Sequence, residues 1–331
     1  MNSDEILVLT PSEIPNLLTL NECIEAVEHA FRLYGDGKAA PPAVLSMHMG
    51  SSGFHVKAGV LGLERMYFAA KVNGNFPDNP IRFGLPTIQG VIVLCDAERG
   101  TPLAIMDSRH VTSLRTGAAT AVAAKYLARR DSQVVTICGC GNQGRVQLRA
   151  LCCVREIRTV LAYDKSQEQA QQFAREMASE LRIAVSASTN LAGAVRQSDI
   201  CVTCTTAQQP LLGLNDARPG ILIAAVGADN PHKQEIDPSL MAKSKIVCDV
   251  LEQCAEMGDL HHALNAGIVT RGDVHAELGA IVARKKPGRE SDIEIIIFDS
   301  TGMALQDVAA AAMLYEKAAK QGSGLRLSFA A

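Results

Sequence analysis

Three glycines in the spacing G-x-G-x-x-G (Gly139, Gly141 and Gly144) constrain this chain more than any other feature of its sequence. They directly follow the apolar segment 134–138, which is typical of a buried strand, and they precede a helix-like segment. Glycine allows a tight turn after such a strand and lets backbone N–H groups approach a pyrophosphate at the helix start. The sequence therefore predicts the first strand and helix of a doubly wound sheet that binds a dinucleotide.

An aspartate follows the loop at the sequence spacing that is typical of the ribose-binding acid in dinucleotide-binding sheets. The next apolar segment, 159–163, is followed by Asp164, the twentieth residue after Gly144. A carboxylate there accepts hydrogen bonds from ribose hydroxyls and repels a 2′-phosphate, so we predict NAD as the cofactor. NADP is the alternative, because Lys165 is adjacent. The opposing interpretation is a glycine-rich turn in another α/β protein, with Asp164 only capping a helix.

The rest of the pattern indicates two domains. From 133 to 299, strand-like segments alternate with helix-like ones, which favours a parallel sheet covered on both faces. Residues 11–36 have the spacing of an amphipathic helix, and 43–106 consist of short apolar runs separated by turn residues, which predicts a small strand-rich domain. An Ala-rich run, 116–127, predicts a buried helix between the two regions.

The last helical segment, 304–320, has only a weakly polar face. We expect it to return and pack on the first domain, which makes that domain discontinuous; the alternative is a cap on the parallel sheet. The predicted fold is an α/β Rossmann-type doubly wound parallel sheet, residues 121–304, inserted into a smaller α+β domain formed by 1–120 and 305–331.

Composition excludes several functional classes. Lys and Arg number 32 against 35 Asp and Glu, without a long basic run, so nucleic acid is not an expected partner. No apolar run approaches the roughly 20 residues that cross a bilayer, and the first ten residues carry acids where a signal peptide carries bases. We therefore expect neither membrane insertion nor secretion. Ten cysteines, several in strand-like segments, favour a reducing cytoplasm over a disulfide scaffold.

Four charged residues in apolar surroundings are candidates for chemistry. Lys57 and Lys71 lie in strand-like segments, and Arg115 directly precedes the Ala-rich run. A buried cation needs a carboxylate partner or an anionic ligand, and the sequence leaves both open. Asp229 follows an apolar strand and should project from the carboxyl edge of the sheet, where α/β folds bind ligands. We expect a water-poor site to raise its pKa and make it a proton donor; otherwise it caps a helix.

Two further patterns are interpreted as structural. Cys201 and Cys204 have C-x-x-C spacing inside an apolar strand, without the second pair that a metal site needs. The adjacent His261 and His262 lack the H-E-x-x-H pattern, and a helix surface accounts for them. No metal site is predicted.

Several segments together resemble the ornithine cyclodeaminase and mu-crystallin family, with its alanine dehydrogenase and pyrroline-2-carboxylate reductase relatives, over nearly the whole chain. The segments are 71–75, 114–120, 139–144, 226–229, 233–235, 249–253 and 298–302. The resemblance implies a nucleotide-binding domain inserted into a small sheet domain that binds substrate and dimerises. A homodimer is therefore expected.

The resemblance also implies residue roles. It places the lysine that binds the substrate carboxylate at Lys71, the proton-handling aspartate at Asp229, and Thr301 beside the substrate. Arg115 is a candidate for both cofactor and substrate. With the glycine loop, the expected cofactor contacts are Thr87, Arg115, Gly139, Gly141, Asn142, Gln143, Gly144, Asp164, Thr206, Val226, Lys233 and Ser300.

The chain departs from the family pattern at two positions. Ala43 stands where relatives commonly carry an arginine for the substrate carboxylate, and Lys57 is the candidate for the missing charge. His55 stands close to the position at which cyclodeaminases carry an acidic residue suited to the distal ammonium of ornithine. A histidine cannot hold an ammonium that way unless it is neutral, so the diamino-acid interpretation is weakened.

These observations favour an NAD(P)H-dependent oxidoreductase of a small imino or amino acid, either a cyclic ketimine reductase of the Δ1-pyrroline-2-carboxylate type or an enzyme like alanine dehydrogenase. In this hypothesis Lys71, with Lys57 or Arg115, holds the substrate carboxylate, and Asp229 moves the proton. We expect Asp229 and Lys71 to face a common cleft. The alternatives are an ornithine cyclodeaminase, which releases ammonia without net redox change, and a mu-crystallin-like binding protein without turnover, against which Asp229 argues.

Overall fold

The computed structural model describes residues 5–50 and 52–328. Residues 1–4, on which the expectation about a signal peptide partly depends, lie outside the described residues, as do the outermost ends of the predicted first domain. None of the described helices is both long and apolar enough to cross a membrane.

The described residues form 17 strands and 12 α-helices. Through residue 127 they are β1 (Glu5–Leu9), α1 (Ile14–Leu17), α2 (Leu20–Gly35), β2 (Ala43–Met49), β3 (Ser52–Gly62), β4 (Met66–Asn75), α3 (Asn79–Phe83), β5 (Ile88–Asp96), β6 (Pro102–Asp107) and α4 (Ser108–Leu127). From there to residue 299 they are β7 (Val134–Cys138), α5 (Asn142–Cys152), β8 (Thr159–Tyr163), α6 (Gln167–Leu181), β9 (Ala184–Ala187), α7 (Leu191–Val195), β10 (Ile200–Thr203), β11 (Gln208–Leu212), β12 (Leu222–Ala225), β13 (Gln234–Ile236), α8 (Pro238–Ala242), β14 (Lys245–Cys248), α9 (Leu251–Met257), α10 (Asp259–Asn265), β15 (Val274–Glu277), α11 (Leu278–Val282) and β16 (Ile296–Asp299). The last two described elements are α12 (Ala304–Gln321) and β17 (Leu325–Ser328).

Two compact units divide the chain. The first unit comprises the residues up to Arg115 and those from Met303 onward, and the second unit is Thr116–Gly302. The first division therefore falls five residues before the predicted boundary after residue 120, and the second falls two residues before the predicted boundary after residue 304. In the first unit, α12 packs against α2, β3 and β4. Gly59 of β3 permits this packing, because a Cβ there would lie 2.9 Å from the Leu305 side chain.

The first unit is built on a seven-stranded sheet in the order β17-β1-β6-β5-β4-β3-β2. Its neighbouring strands are antiparallel except for β1 and β6. Side chains alternate between the two faces of such a sheet. Lys57 of β3 and Lys71 of β4 are direct cross-strand partners, on the face against which α12 packs.

The second unit is built on an eight-stranded sheet in the order β15-β14-β16-β12-β10-β7-β8-β9. Every strand pair in it is parallel. The central strands β10, β12 and β16 are buried along their whole length, as in a sheet covered on both faces. The chain runs outward from β7 to β9 and then returns to β10 on the other side of β7, so the order reverses between β7 and β10. The predicted Rossmann-type doubly wound sheet is confirmed.

The helix predicted over 11–36 is interrupted after Leu17. Thr19 starts α2 with a capping box, in which its hydroxyl accepts the Glu22 N–H and the Glu22 carboxylate accepts the Thr19 N–H. This local exchange satisfies the first donors of α2, and it separates α2 from the short turn of helix before it.

The Ala-rich helix α4 begins at Ser108 and not at Thr116. Asp107, at the end of β6, accepts the Arg109 N–H at 3.0 Å and so caps a helix start eight residues earlier than predicted. Arg115 therefore lies within α4 and does not precede it. Polar residues in the first two turns concealed this start from the hydrophobic pattern.

Candidate cofactor and substrate sites

The glycine loop follows β7, beside the point at which the sheet reverses its order. Gly139 has φ +103°, and a Cβ there would lie 2.8 Å from the Cys204 carbonyl oxygen just beyond β10. A Cβ on Gly144 would overlap the carbonyl oxygen of Gly139. Two of the three glycines are thus required by the turn and by the close packing of α5 against β7.

Gly141 is required by neither, because a Cβ there would meet nothing within 4 Å. It is the N-cap residue of α5, and no side chain caps this helix start. The first N–H groups of a helix, together with its dipole, bind anions when no side chain satisfies them. The open space at Gly141 therefore fits a pyrophosphate, which a larger side chain at this position would displace.

A cavity of about 630 Å³ extends from this loop along the ends of β8 and β10. Its lining includes Asp164, Lys165 and Thr206. Asp164 accepts hydrogen bonds from the N–H groups of Cys140 at 2.8 Å and Ser166 at 2.9 Å, so it ties the glycine loop to the start of α6. A carboxylate has acceptor positions beyond these two, which ribose hydroxyls can use. The lining residues thus fit a dinucleotide.

Other predicted cofactor residues of the second unit lie along the carboxyl edge of its sheet. Asn142 and Gln143 form the first turn of α5, Val226 follows β12, and Ser300 follows β16. Ser300 donates a 2.9 Å hydrogen bond to the buried carboxylate of Asp249. These positions share one edge because parallel strands end on the same side of a sheet.

Two further predicted threonines lie in different units. Thr301, beside Ser300, is buried, and its hydroxyl lies 3.4 Å from Asp249 and Gln253 oxygens. Thr87 belongs to the first unit, where it precedes β5 and its carbonyl oxygen accepts the Phe76 N–H at 2.8 Å. The predicted residues therefore divide between the units: Lys57, Lys71, Thr87 and Arg115 lie in the first, and all the others lie in the second.

Asp229 stands beyond β12, at the carboxyl edge of the second sheet. Its side chain is 48% exposed and forms a 2.7 Å ion pair with Lys233. Asp229 does not cap a helix, since it lies in the irregular segment before β13.

In the first unit, two buried cations share one buried carboxylate. Lys71 Nζ donates to both oxygens of Asp307, at 2.9 and 2.8 Å, and Arg115 Nε donates to one of them at 3.1 Å. The three side chains are at most 7% exposed. Arg115 also donates to the Gln306 side-chain oxygen at 3.1 Å. Of the two alternatives that the sequence left open, a carboxylate partner is present for Lys71 and Arg115.

One carboxylate does not neutralise two cations. Burial, and then the positive charges of Arg115 and Lys57, lower the pKa of Lys71 to about 7 despite the attraction of Asp307. Burial acts to raise the pKa of Asp307, but Lys71 and Arg115 hold it below its ordinary value. A carboxylate supplied by a ligand would balance the second cation and favour the protonated form of Lys71.

Asp307, which joins the two buried cations, is a residue of this candidate site that sequence reasoning missed. It is a single acid within the apolar first half of α12, and it is 1% exposed. A buried acid on an apolar helix requires a cation, so this position contained a usable signal. The signal did not indicate which of the chain's cations Asp307 meets.

The cysteine and histidine patterns are structural. Cys201 lies within β10, and burial raises the pKa of both the Cys201 and Cys204 thiols, which makes them poor nucleophiles. On α10, ring nitrogens of His261 and His262 lie 3.1 and 2.8 Å from backbone carbonyl oxygens. Across the residues that the structure describes, no group of three or more His, Cys, Asp or Glu side chains could hold a metal ion.

Three features define a dinucleotide-binding α/β protein: the glycine loop at the point where the sheet order reverses, the start of α5 without a side-chain cap, and Asp164. Residues 4–322 match the sequence profile of the ornithine cyclodeaminase/mu-crystallin family, and the chain belongs to that family. The resemblance inferred from the motifs is thereby confirmed.

Relatives and solved structures cover the chain almost completely. Alanine dehydrogenase of Archaeoglobus fulgidus is 41% identical over 98% of this chain and 99% of its own length. A solved archaeal alanine dehydrogenase dimer with bound NAD has 41% identity and a TM-score of 0.94, covering 98% of this chain and 100% of that one. The Thermococcus litoralis Δ1-pyrroline-2-carboxylate reductase, solved with NADH and L-proline, has 37% identity and a TM-score of 0.92, covering 97% and 99%.

Proposed function

We propose that this protein is an NAD(H)-dependent oxidoreductase that reduces the C=N bond of a small 2-imino acid or oxidises the corresponding amino acid. The observation that carries the proposal is the pair of buried cations, Lys71 and Arg115, which share the carboxylate of Asp307, in a chain whose other unit has a dinucleotide loop. Cyclic ketimines of the pyrroline-2-carboxylate type and the imine of pyruvate both place a carboxylate beside the C=N carbon. Relatives named for both reactions support these two candidates.

Each charged residue has a distinct role in this proposal. Lys71, with Lys57 or Arg115, binds the substrate carboxylate through charge-assisted hydrogen bonds. Fixing the carboxylate also orients the C=N carbon, and orientation of this kind is worth up to roughly 7 to 11 kcal/mol. When bound, NADH supplies the hydride. Thr301 contacts the substrate.

Asp229 supplies the proton to the substrate nitrogen in reduction and removes it in oxidation. Its partial exposure supports this role, because it lets the carboxyl exchange protons with water between turnovers. Lys233, 2.7 Å away, stabilises the carboxylate that forms when the proton leaves.

The cofactor is NAD in this proposal, because Asp164 would repel the 2′-phosphate of NADP. Replacing Asp164 with serine should therefore lower the ratio of kcat/KM with NADH to that with NADPH. The further contacts proposed for the cofactor are Thr87, Arg115, Gly139, Gly141, Asn142, Gln143, Gly144, Thr206, Val226, Lys233 and Ser300.

A homodimer is part of the proposal. On the face of the first sheet opposite α12, Leu45, Met47, Phe54 and Val91 are 56, 50, 39 and 43% exposed. A second copy of the chain is the occupant that we propose for this apolar face, since one of the related structures is a dimer. All ten cysteines are free, which supports a reducing, cytoplasmic location.

The test is a set of parallel assays with purified protein. NADH consumption is followed with pyrroline-2-carboxylate, with piperideine-2-carboxylate, and with pyruvate plus ammonia, while ornithine plus NAD⁺ is assayed for ammonia. We expect NADH consumption with at least one imino acid and no ammonia from ornithine. Ammonia and proline from ornithine alone would establish a cyclodeaminase instead. NADH binding without turnover in any assay would establish a mu-crystallin-like binding protein.

Two variants test the roles separately. K71M should raise KM for the imino acid, and D229N should lower kcat, while both leave the dissociation constant of NADH within about twofold of wild type. K320M, which removes an exposed lysine of α12, is the matched control and should behave as wild type. Wild-type kinetics in K71M or D229N would contradict the role assigned to that residue.

A further inference from the structure

Three buried carboxylates of the second unit are linked in series: the first accepts backbone N–H groups from the segment that carries the second, and the second from the segment that carries the third. Asp299, the last residue of β16, accepts from Leu260 at 2.8 Å and Asp259 at 3.3 Å, at the start of α10. Asp259 in turn accepts from Glu235 at 2.7 Å and Ile236 at 2.8 Å in β13. We call Asp299, Asp259 and Glu235 the acidic series. The proposed reaction assigns none of them a role.

Glu235, the last member of the acidic series, accepts hydrogen bonds from the ends of two neighbouring strands of the sheet. Beyond β12 it accepts the Gly227 N–H at 2.9 Å, and beyond β10 it accepts the N–H and the hydroxyl of Thr205, both at 2.7 Å. The Thr203 hydroxyl donates to it at 2.7 Å. These four donors occupy the lone-pair positions of a fully buried carboxylate, which leaves it a single orientation.

The two clamped segments are those on which the proposed chemistry depends. Gly227 stands two residues before Asp229, and a Cβ at Gly227 would lie 2.5 Å from the Glu235 carboxylate, so the chain approaches Glu235 as closely as glycine allows. Thr205 stands next to Thr206, and both line the cofactor cavity. A change at Glu235 would therefore shift the Asp229 segment relative to the end of β10.

Stability alone does not account for these acids. Burial raises the pKa of Glu235, Asp259 and Asp299, that of Asp259 to about 7. In the residues described, one Asp259 oxygen, Oδ2, is buried without a hydrogen-bond partner. Uncharged side chains that fill the same space commonly stabilise a protein more than buried ionisable groups do. Ionisable groups held at such a cost are typical of functional sites.

We propose that Glu235 is a positioning residue, which fixes the segment 227–229 against the end of β10 and so sets the place at which Asp229 presents its proton. The inference rests on the proposed role of Asp229. Glu235 does not itself contact the substrate; it acts through the Gly227 and Thr205 backbone.

The test is a double-mutant cycle between Glu235 and Asp229, measured on the full-length protein with NADH and the best imino acid. In E235Q the side chain keeps one acceptor oxygen, and its amide NH₂ cannot accept from backbone N–H groups, so one strand end is released. We expect E235Q to lower kcat about tenfold or more, since hydrogen bonds to a charged group are lost. The NADH dissociation constant should stay within about twofold. In the D229N background, E235Q should cause no further loss of kcat.

Two more variants separate positioning from folding. D199N removes a buried carboxylate that accepts the Gln133 and Val134 N–H groups, at 2.8 and 2.9 Å, at the opposite edge of the same sheet. It should lower the melting temperature and leave kcat unchanged. If E235Q does not fold, T203V removes one donor to Glu235 and should give a smaller loss of kcat that also disappears in D229N.

Three outcomes would overturn the inference. An additive loss of kcat in the D229N/E235Q double variant would show that Glu235 does not act through Asp229. If kcat is lowered in D229N but is that of wild type in E235Q, the positioning role is refuted and the proposed function is left intact. A D229N of wild-type rate would refute the proposed role of Asp229 and, with it, this inference.

Discussion

Replacing Lys71 with arginine should remove the pH dependence of anion binding to the first unit. Burial, Arg115 and Lys57 lower the pKa of Lys71 to about 7. Lysine is then cationic below pH 7 and increasingly neutral above it, so its attraction for a carboxylate is lost as the pH rises. Arginine stays protonated throughout this range, because its guanidinium pKa lies above about 12.

The magnitude follows from the protonated fraction of Lys71. With a pKa of about 7, this fraction falls from about ten-elevenths at pH 6 to about one-eleventh at pH 8, a factor of about 10. The inhibition constant of an anion that requires the ammonium should rise by the same factor, which corresponds to about 1.4 kcal/mol. The K71R value should change by less than about twofold over the same range.

The assay uses pyrrole-2-carboxylate as a competitive inhibitor of imino-acid reduction, because its ring nitrogen does not titrate in this range. Its inhibition constant is measured at pH 6, 7 and 8 in wild type, in K71R and in K320R. K320R changes an exposed lysine of α12 and should keep the wild-type slope. A flat wild-type profile, or a K71R profile as steep as that of wild type, would refute the assignment of the anion site to Lys71.

Three other predictions concern stability, cofactor binding and assembly. Burial and Glu235 raise the pKa of Asp259 to about 7, so between pH 4 and 7 the folded chain binds more protons at this carboxyl than the unfolded chain, and stability falls as the pH rises. D259N should therefore raise the melting temperature at pH 8 and not at pH 4, with about 4 kcal/mol as the upper limit of the gain in free energy of unfolding. G141V should abolish NADH binding in a fluorescence titration at unchanged melting temperature, whereas G144A should lower the melting temperature; the reverse pattern would refute the glycine roles. M47D should convert the proposed dimer to a monomer in light scattering, and an unchanged mass would exclude this face as the interface.

The nucleotide sheet and its glycine loop could be predicted because their determinants are local. Strand β7, Gly139, Gly144 and Asp164 fall within about thirty consecutive residues, which is the length of one strand–helix–strand unit. Gly144 is required by an atom that this unit itself supplies, the Gly139 carbonyl oxygen. Helix starts were predicted less well, since a single cap such as Asp107 outweighs the hydrophobic pattern after it.

The sequence alone determined which cations lie in apolar segments. Only the tertiary structure decided which carboxylates they pair with. Lys71 and Asp307 are 236 positions apart in the chain, and no local pattern pairs one acid of α12 with one lysine of β4. The same limit applies to Glu235, whose donors come from the ends of two strands, and to Asp229, whose ion pair with Lys233 no pattern indicated. Turns and periodicities arise from interactions between residues close in sequence, whereas burial and charge pairing depend on distances that only the packed structure sets.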